Sequence, residues 1–213
     1  MIEQLEQAGH EQLAFEVAEA ALPDAGGWPL DKIGDWLLKR YNQQDNLAGA
    51  MNIYLARFRS HPTFALYQLI ANQAGQLGRW QQLESELDTL VEKRGSRSLQ
   101  VELALAGGDL PRAMGLVERF EAAIGATLAQ RVAAQAGKSA EHYWWAVAYY
   151  ERLAEKRIAG KRRHLYEEAR THLNIIQQIY RHHDTQSEWE DFIARLRQRH
   201  RGKRLFLEVI EGL

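Results

Sequence analysis

Eight histidines are the first residues whose chemistry could serve a function, because an imidazole can bind zinc or exchange a proton near neutral pH. Four of them, His164, His172, His182 and His183, fall along one predicted helix and its end. Adjacent residues on a helix diverge by about 100°, so His182 and His183 do not converge on one metal ion. We interpret the pair as the polar end of a helix, where a partly positive imidazole suits the helix dipole. The sequence therefore predicts no metal site.

Grouped carboxylates are the residue type that general acid–base catalysis would require. Glu84 with Glu86 and Asp88, and Glu167 with Glu168, are such groupings. A carboxylate does this chemistry when a cleft shifts its pKa, and these residues lie in polar, strongly helical stretches. We expect them to face solvent, and we expect no catalytic residue.

Glycine pairs and cysteines give no further route to catalysis. Gly26-Gly27 and Gly107-Gly108 are not followed by Lys-Ser or Lys-Thr, and no strand pattern precedes them, so neither matches a phosphate-binding loop. The chain has no cysteine, which excludes thiolate zinc sites, disulfides and cysteine nucleophiles and fits a reducing cytoplasm. We predict that the protein is not an enzyme and holds no cofactor.

Basic residues concentrate in the second half of the chain. Residues 1–107 carry 9 Lys and Arg against 14 Asp and Glu, whereas residues 108–213 carry 18 against 14. Clustered cations could neutralise phosphates and bind nucleic acid, or they could form an ordinary solvated helix face. The residues that we assign to the nucleic-acid alternative are Lys161, Arg162, Arg163, Arg199, Lys203 and Arg204.

Aromatic residues crowd one predicted helix, at Tyr143, Trp144, Trp145, Tyr149 and Tyr150. Successive residues cannot all face one side of a helix, so this surface is either covered by neighbouring helices on two sides or partly exposed. Core packing is the favoured interpretation. Exposed aromatics would instead be binding hot spots.

The elements that position these residues are all predicted to be helices. Apolar residues recur at three- and four-residue spacing through almost the whole chain, and only four prolines interrupt it. No apolar run is long enough to span a membrane, and the first residues begin an amphipathic helix instead of a secretory signal, so we expect a cytoplasmic protein that does not bind membranes. The predicted helices are 2–8, 11–22, 29–43, 46–59, 63–77, 79–94, 97–107, 110–124, 126–136, 139–158, 161–182 and 187–211.

The turns between these helices are regularly spaced. Asp45, Gly78, Gly108 and Gly137 begin turns that lie 33, 30 and 29 residues apart, and Gly9 extends the series at 36. This spacing is typical of helical solenoids. A small residue follows the turns, in Leu47-Ala48-Gly49-Ala50, in Leu110-Pro111-Arg112-Ala113 and at Ala140, where it lets paired helices approach closely.

The pattern resembles tetratricopeptide-like repeats, which implies an all-α, right-handed α-α superhelix of stacked helical hairpins with about 11–12 helices. We expect residues 1–138 to form this array and residues 139–213, whose helices are longer, to form a capping subdomain of the same solenoid. The stretch from Leu22 to Pro29, rich in Pro and Gly, is the best candidate linker.

The C-terminal third carries a second resemblance. Its aromatic, apolar and basic positions are Tyr149, Leu153-Ala154-Glu155, Arg163, Tyr166, Ala169, Leu173, Tyr180, Trp189, Ile193, Leu196-Arg197, His200-Arg201 and Lys203-Arg204. This pattern resembles the helical C-terminal region of bacterial SWIM zinc-finger proteins. The zinc motif of that family needs Cys-x-Cys and Cys-x-His, so the resemblance implies a fragment or a stand-alone relative of the helical region, linked to nucleic-acid or protein-complex biology.

The leading functional hypothesis is a non-catalytic protein–protein interaction scaffold that forms a helical-repeat region of a larger or multi-component system. It would bind a protein or peptide partner in the groove of the stacked hairpins. The alternative is a nucleic-acid-associated accessory module that uses the C-terminal basic surface. Polar and aromatic residues on helices that line the concave face are the candidates for partner binding, and they are Tyr67, Asn72, Gln73, Arg131, Gln135, His142 and Tyr143.

Overall fold

The structure, a computed structural model, describes residues 2–22 and 27–213, and within these ranges the chain forms helices and turns without any strand. Thirteen helices lie in the described ranges: α1 Ile2–Gln7, α2 Glu11–Ala21, α3 Gly27–Gln43, α4 Leu47–Ser60, α5 Phe64–Gln76, α6 Trp80–Arg94, α7 Arg97–Ala106, α8 Leu110–Ile124, α9 Ala126–Ala136, α10 Tyr143–Ile158, α11 Arg163–His182, α12 Gln186–Arg199 and α13 Arg204–Val209. None of them is long and apolar enough to cross a membrane. The predicted all-α helical-repeat fold is confirmed.

The end of the chain differs from the prediction of one helix over 187–211. Here α12 ends at Arg199 and α13 begins at Arg204, and a turn through Gly202 separates them. Glycine is unfavourable inside a helix, so Gly202 favours a break that the apolar period alone does not indicate. The break also lets His200, the residue after α12, contact α10, where its Nε2 lies 3.0 Å from the carboxylate of Glu155.

Four of the five predicted turn residues have a left-handed backbone conformation. Gly9, Asp45, Gly78 and Gly108 have φ values of 80°, 52°, 67° and 75°, which is the left-handed region that commonly ends a helix. Asp45 shows that a short polar side chain tolerates this region as well as glycine does here. Gly137 differs, because it ends α9 with a helical φ of −62°.

A small residue after a turn brings α3 and α4 together. Gly49 is buried in α4, and a Cβ atom at this position would lie 2.5 Å from the ring of Tyr41 in α3. Ala113, the corresponding residue of α8, is also fully buried. Ala140 is exposed, so the weakest of the three predicted small positions does not serve helix packing.

The chain divides into two compact units, 1–107 and 108–213. In the first unit, successive helices from α1 to α7 are neighbours. One apolar cluster of this unit includes Phe58, Ile70 and Leu87, and a second includes Leu37 and Ile53. Each helix buries its apolar stripe against the next, and burial of one large apolar side chain contributes about 1.5–3 kcal/mol.

The second unit is built around the pair α10 and α11. The helix α8 packs on α9, α9 packs on α10, and both α12 and α13 lie against α11. The buried residues of α11 follow the helical period, and they include Tyr166, Ala169, Leu173, Ile176 and Tyr180.

Two predictions about segmentation have different outcomes. The middle of the predicted linker, residues 23–26, lies outside the described residues, whereas Gly27 and Pro29 belong to α3. The division into an array of tetratricopeptide-like hairpins over 1–138 and a capping subdomain over 139–213 stays a prediction.

Candidate partner-binding surface

The start of α10 divides its aromatic residues between the core and the surface. Trp145, Tyr149 and Tyr150 are at most 5% exposed, as core packing predicts. Trp144 is 60% exposed, more than any other large apolar side chain in the described part of the chain. Trp144 belongs to the predicted aromatic run but not to the predicted partner-binding residues, because the sequence alone does not show which side of α10 faces solvent.

Hydrogen bonds fix the two neighbouring indoles in opposite environments. The Nε1–H of Trp145 donates to Oε1 of Glu118 in α8 over 2.7 Å. The Nε1–H of Trp144 donates to the backbone carbonyl of Glu141 over 2.9 Å. The exposed indole is therefore held against the turn that precedes α10, and its position is set in advance of any partner.

Tyr143 connects this turn to the end of α11. Its ring stacks on that of His183 with centroids 4.4 Å apart, and its hydroxyl donates to Oε2 of Glu188 over 3.3 Å. Burial raises the pKa of Tyr143, and the charge of Glu188 adds to this effect. The Nε2 atom of His183 lies 2.8 Å from the carbonyl of Gly137. A carbonyl oxygen can only accept, so Nε2 carries the proton.

We call Tyr143, Trp144 and His183, together with the carboxylates of Glu141 and Glu188, the aromatic corner. Segments from four parts of the second unit contribute to it: the turn after α9, the start of α10, the end of α11 and the first turn of α12. The side chain of Glu141 is 87% exposed, and it makes one ion-pair contact, 4.0 Å from Nε2 of His142.

Four predicted partner-binding residues belong to the second unit. His142 and Tyr143 lie at the aromatic corner, and both are partly buried. Arg131 and Gln135 are exposed and lie one turn apart on α9. The structure thus brings two of these residues into one surface and leaves the other two on a separate helix face.

The remaining three predicted residues lie on α5 in the first unit. Tyr67 packs edge-on against Trp80 with ring centroids 5.7 Å apart, and burial, with the nearby carboxylate of Asp88, raises its pKa to about 12. Tyr67 therefore packs mainly against the core. Asn72 is exposed, and Gln73 is partly buried with an Oε1 atom that has no hydrogen-bond partner in the described structure.

The residues of the nucleic-acid alternative come from two turns of the second unit that are distant in sequence. The Nζ of Lys203, between α12 and α13, donates to the carbonyl of Ile158 at the end of α10 over 3.4 Å. The ring of Phe206 in α13 contacts that of Tyr166 in α11 with centroids 5.5 Å apart. The turn between α10 and α11 and the turn between α12 and α13 are therefore neighbours.

Arg199 is used within the fold, in a group that we call the ionic clamp. Its Nη1 lies 2.9 Å from Oε1 of Glu151 and 2.8 Å from Oε1 of Glu155, and the buried His200 contacts both oxygens of Glu155 at 3.0 Å. Burial alone would raise the pKa of Glu155, but the hydrogen bonds from His200 and Arg199 outweigh it, so the pKa is lowered. The clamp holds the end of α12 on α10.

Four of the six cations remain available, and we call them the basic end. Lys161 and Arg162 are exposed and form no ion pair within the described ranges. Arg163 and Arg204 each pair with the glutamate one turn later, and their side chains stay 71% and 94% exposed. Such exposed pairs are weak, so these guanidinium groups can exchange partners.

Clusters of carboxylates and histidines in residues 2–22 and 27–213 are few. These ranges contain no group of three or more His, Asp or Glu that could hold a metal ion. The first unit has a surface cleft of about 480 Å³, where the hydroxyl of Tyr41 donates to Glu19, and Arg59 pairs with Glu86 at 2.7 Å. These groups satisfy one another, which suits a structural role better than proton transfer.

Comparison with known proteins gives no family for this chain. No protein-family model, no curated protein and no solved structure matches it. Functional inference therefore rests on the geometry of the aromatic corner and the basic end.

Proposed function

We propose that the chain is a non-catalytic protein–protein interaction scaffold whose partner binds at the aromatic corner. The observation that carries this proposal is the exposure of Trp144, 60% of whose surface faces solvent. Tryptophan and tyrosine are enriched among the residues that contribute most of the binding energy at protein–protein interfaces.

The rigidity of the corner supports the same proposal. The hydrogen bond from Trp144 to Glu141 and the stacking of Tyr143 on His183 hold these rings before a partner arrives. Association therefore loses little side-chain entropy, which is one of the main terms opposing binding. Helical repeats commonly bind partners through preformed surfaces of this kind.

The partner can be identified by placing a photo-crosslinking amino acid at position 148, an exposed alanine one turn after Trp144 on α10, and irradiating the protein in an extract of its source organism. Binding is then measured with the purified partner. We expect Trp144→Ala to weaken it by about 30-fold or more, the effect of losing a hot-spot residue. Leu69→Ala, at a side chain 42% exposed on α5 in the other unit, is the control and should leave affinity unchanged. An unchanged affinity of Trp144→Ala for every partner recovered would refute the proposal.

We propose a tetratricopeptide-like character for the repeats and a cytoplasmic setting for the protein. The regular turns at Asp45, Gly78 and Gly108 support the first, and the absence of cysteine is compatible with the second. The resemblance of residues 149–204 to the helical region of SWIM zinc-finger proteins has no support from any family match, and it assigns no residue a role.

A nucleic-acid-associated role is the second candidate, and the convergence of two basic turns favours it. The contact of Lys203 with Ile158 places the turn that contains Lys161 and Arg162 beside the turn that precedes Arg204. Several exposed cations on one end of the unit could contact successive phosphates.

This second candidate predicts salt-dependent binding to a fluorescent DNA duplex. At about 50 mM salt the protein should bind, and affinity should fall steeply as salt increases because counterions are released from the DNA. Lys161→Glu with Arg162→Glu should abolish binding, whereas Arg131→Glu with Lys138→Glu, at exposed cations of the same unit, should reduce it much less. Absence of binding at about 50 mM salt would eliminate this role.

A further inference from the structure

We propose that the aromatic corner selects a cationic side chain, an arginine or lysine of the partner, which lies over the indole of Trp144 and pairs with Glu141. This inference rests on the proposed function, since it specifies what the interaction surface recognises.

Three side chains of the aromatic corner carry hydrogen-bond donors. The Nε1–H of Trp144 donates to the Glu141 carbonyl, the hydroxyl of Tyr143 donates to Glu188, and the Nε2–H of His183 donates to Gly137. These three donors are used within the fold. What the corner offers a ligand is an indole face and two carboxylates, which are electron-rich groups that attract donors and cations.

The first unit contains an indole, a carboxylate and a guanidinium in mutual contact. The guanidinium of Arg40 lies 3.2 Å from the ring centroid of Trp36 and also pairs with Glu6. The Nε1–H of Trp36 donates to the second oxygen of Glu6 over 3.1 Å. An indole, a carboxylate and a guanidinium thus satisfy one another within this chain.

The same combination recurs in the second unit with a tyrosine. The guanidinium of Arg152 lies 5.2 Å from the ring centroid of Tyr149, and its Nη2 pairs with Glu121 at 2.8 Å. In both arrangements a glutamate neutralises the cation while the ring covers one side of it. Cation–π contacts of this kind contribute more as the cation loses water, so the carboxylate and the ring act together.

At the aromatic corner the ring and the carboxylate are present without the cation. None of the cation–π pairs in the described structure involves Trp144, and the exposed carboxylate of Glu141 contacts only His142, at 4.0 Å. Charge complementarity therefore favours a partner that supplies arginine or lysine. An acidic partner segment at Trp144 would meet the exposed carboxylate of Glu141 and be repelled.

The experiment uses the full chain and two fluorescein-labelled peptides of the repeated sequence Gly-Ser-Arg, one of them with citrulline in place of each arginine. Citrulline keeps the shape of arginine and removes its charge. At about 150 mM salt, where long-range attraction is screened, we expect the arginine peptide to bind at least tenfold more tightly than the citrulline peptide. It should also shift the NMR signal of the Trp144 indole N–H.

Variants test the two groups separately. Trp144→Leu keeps an apolar side chain but removes the π face, and it should lose the preference for arginine. Glu141→Gln should weaken arginine binding several-fold, whereas Glu190→Gln, an exposed glutamate of α12, should not change it. Retained circular dichroism at 222 nm would show that each variant is folded.

The outcomes separate this inference from the proposed function. Equal affinity for the arginine and citrulline peptides, or arginine binding that leaves the Trp144 signal unmoved, overturns cation selection. In either case the proposed scaffold function is still supported if the crosslinked partner binds the Trp144→Ala variant more weakly. Loss of arginine selectivity in Trp144→Leu, together with several-fold weaker arginine binding in Glu141→Gln, supports cation selection.

Discussion

At Gly49 the packing leaves no room for a larger side chain. Gly49 of α4 lies against the ring of Tyr41 in α3, and the space for a Cβ atom is already occupied by that ring. The small-residue pattern after the predicted turn at Asp45 indicated this close approach. It could not indicate which aromatic ring fills the space, because that ring lies on the preceding helix.

We predict that Gly49→Ala lowers the free energy of unfolding by about 1–2 kcal/mol. Alanine gains about 1 kcal/mol of helix propensity, but overpacking a tight contact costs about 1–3 kcal/mol. Gly75→Ala in α5 is the matched control, since nothing lies within 4 Å of its Cβ position, and it should raise stability by about 0.5–1 kcal/mol. Urea denaturation measures both changes, and a stabilised Gly49→Ala variant would contradict the packing argument.

Glu155 is the second residue whose environment predicts a measurable effect. It accepts hydrogen bonds from Arg199 and His200, and these interactions lower its pKa in the folded state. Because the folded pKa lies below the unfolded one, the contribution to stability is present above the unfolded pKa. It is lost as the pH falls through the folded pKa.

We therefore expect Glu155→Gln to destabilise the protein by about 1–2 kcal/mol at pH 7, a modest value because Arg199 is 53% exposed. The difference from the wild type should begin to shrink as the pH falls through the ordinary glutamate pKa of about 4, and it should disappear below the lowered folded pKa, where the glutamate is neutral in both states. Glu167→Gln, which affects only the exposed pair with Arg163, should change stability by less than about 0.5 kcal/mol. Urea denaturation across this pH range provides the measurement, and a difference that persists at low pH would rule out the ionic origin.

At the scale of elements, α10 connects the features of the second unit. Its first turn carries Tyr143 and Trp144 of the aromatic corner, and its later turns carry Glu151 and Glu155 of the ionic clamp. The clamp depends on α12 ending at Arg199, so that His200 leaves the helix and reaches Glu155. The predicted uninterrupted helix over 187–211 would have continued past this contact.

We predict that removing the turn between α12 and α13 disrupts the basic end more than the aromatic corner. Gly202→Ala together with Arg201→Ala favours a continuous helix, because alanine has a higher helix propensity than glycine. The contact of Lys203 with the Ile158 carbonyl should weaken, and amide hydrogen exchange near Ile158 should increase. The control signal is the indole N–H of Trp144, which should not move. Unchanged exchange near Ile158 would indicate that the turn does not depend on Gly202.

At the scale of the whole molecule, the chain contains two compact units of opposite charge. Residues 1–107 have a net charge of −5 and residues 108–213 a net charge of +4, with histidines neutral. Each unit has its own buried residues, such as Phe58 and Ile70 in the first and Leu173 and Ile176 in the second. The overall charge of −1 conceals this division.

We predict that residues 108–213 fold when expressed alone, since the helices around α10 and α11 bury a core of their own. The fragment should give a helical circular dichroism spectrum and a cooperative thermal transition. It should bind a cation exchanger at neutral pH, whereas residues 1–107 should bind an anion exchanger. A helical fragment that melts without a cooperative transition would show that its core is insufficient.

The sequence by itself determined the helices and most of their ends. The apolar period and the turn residues act over a few positions, so Asp45, Gly78 and Gly108 could be recognised without any knowledge of distant contacts. The same local reasoning identified the aromatic run from Tyr143 to Tyr150 as a feature of one helix. It could not choose which of these residues would face solvent.

Only the tertiary structure decided which residues are available for binding. Trp145 is buried and hydrogen-bonds to Glu118 of α8, whereas the side of α10 that carries Trp144 faces solvent. Likewise, Arg199 is held by a glutamate 48 residues away, while Arg162 remains free of ion pairs in the described chain. The solvent exposure of a side chain and its ion pairs depend on residues from distant segments of the chain. A local sequence pattern carries no information about those contacts.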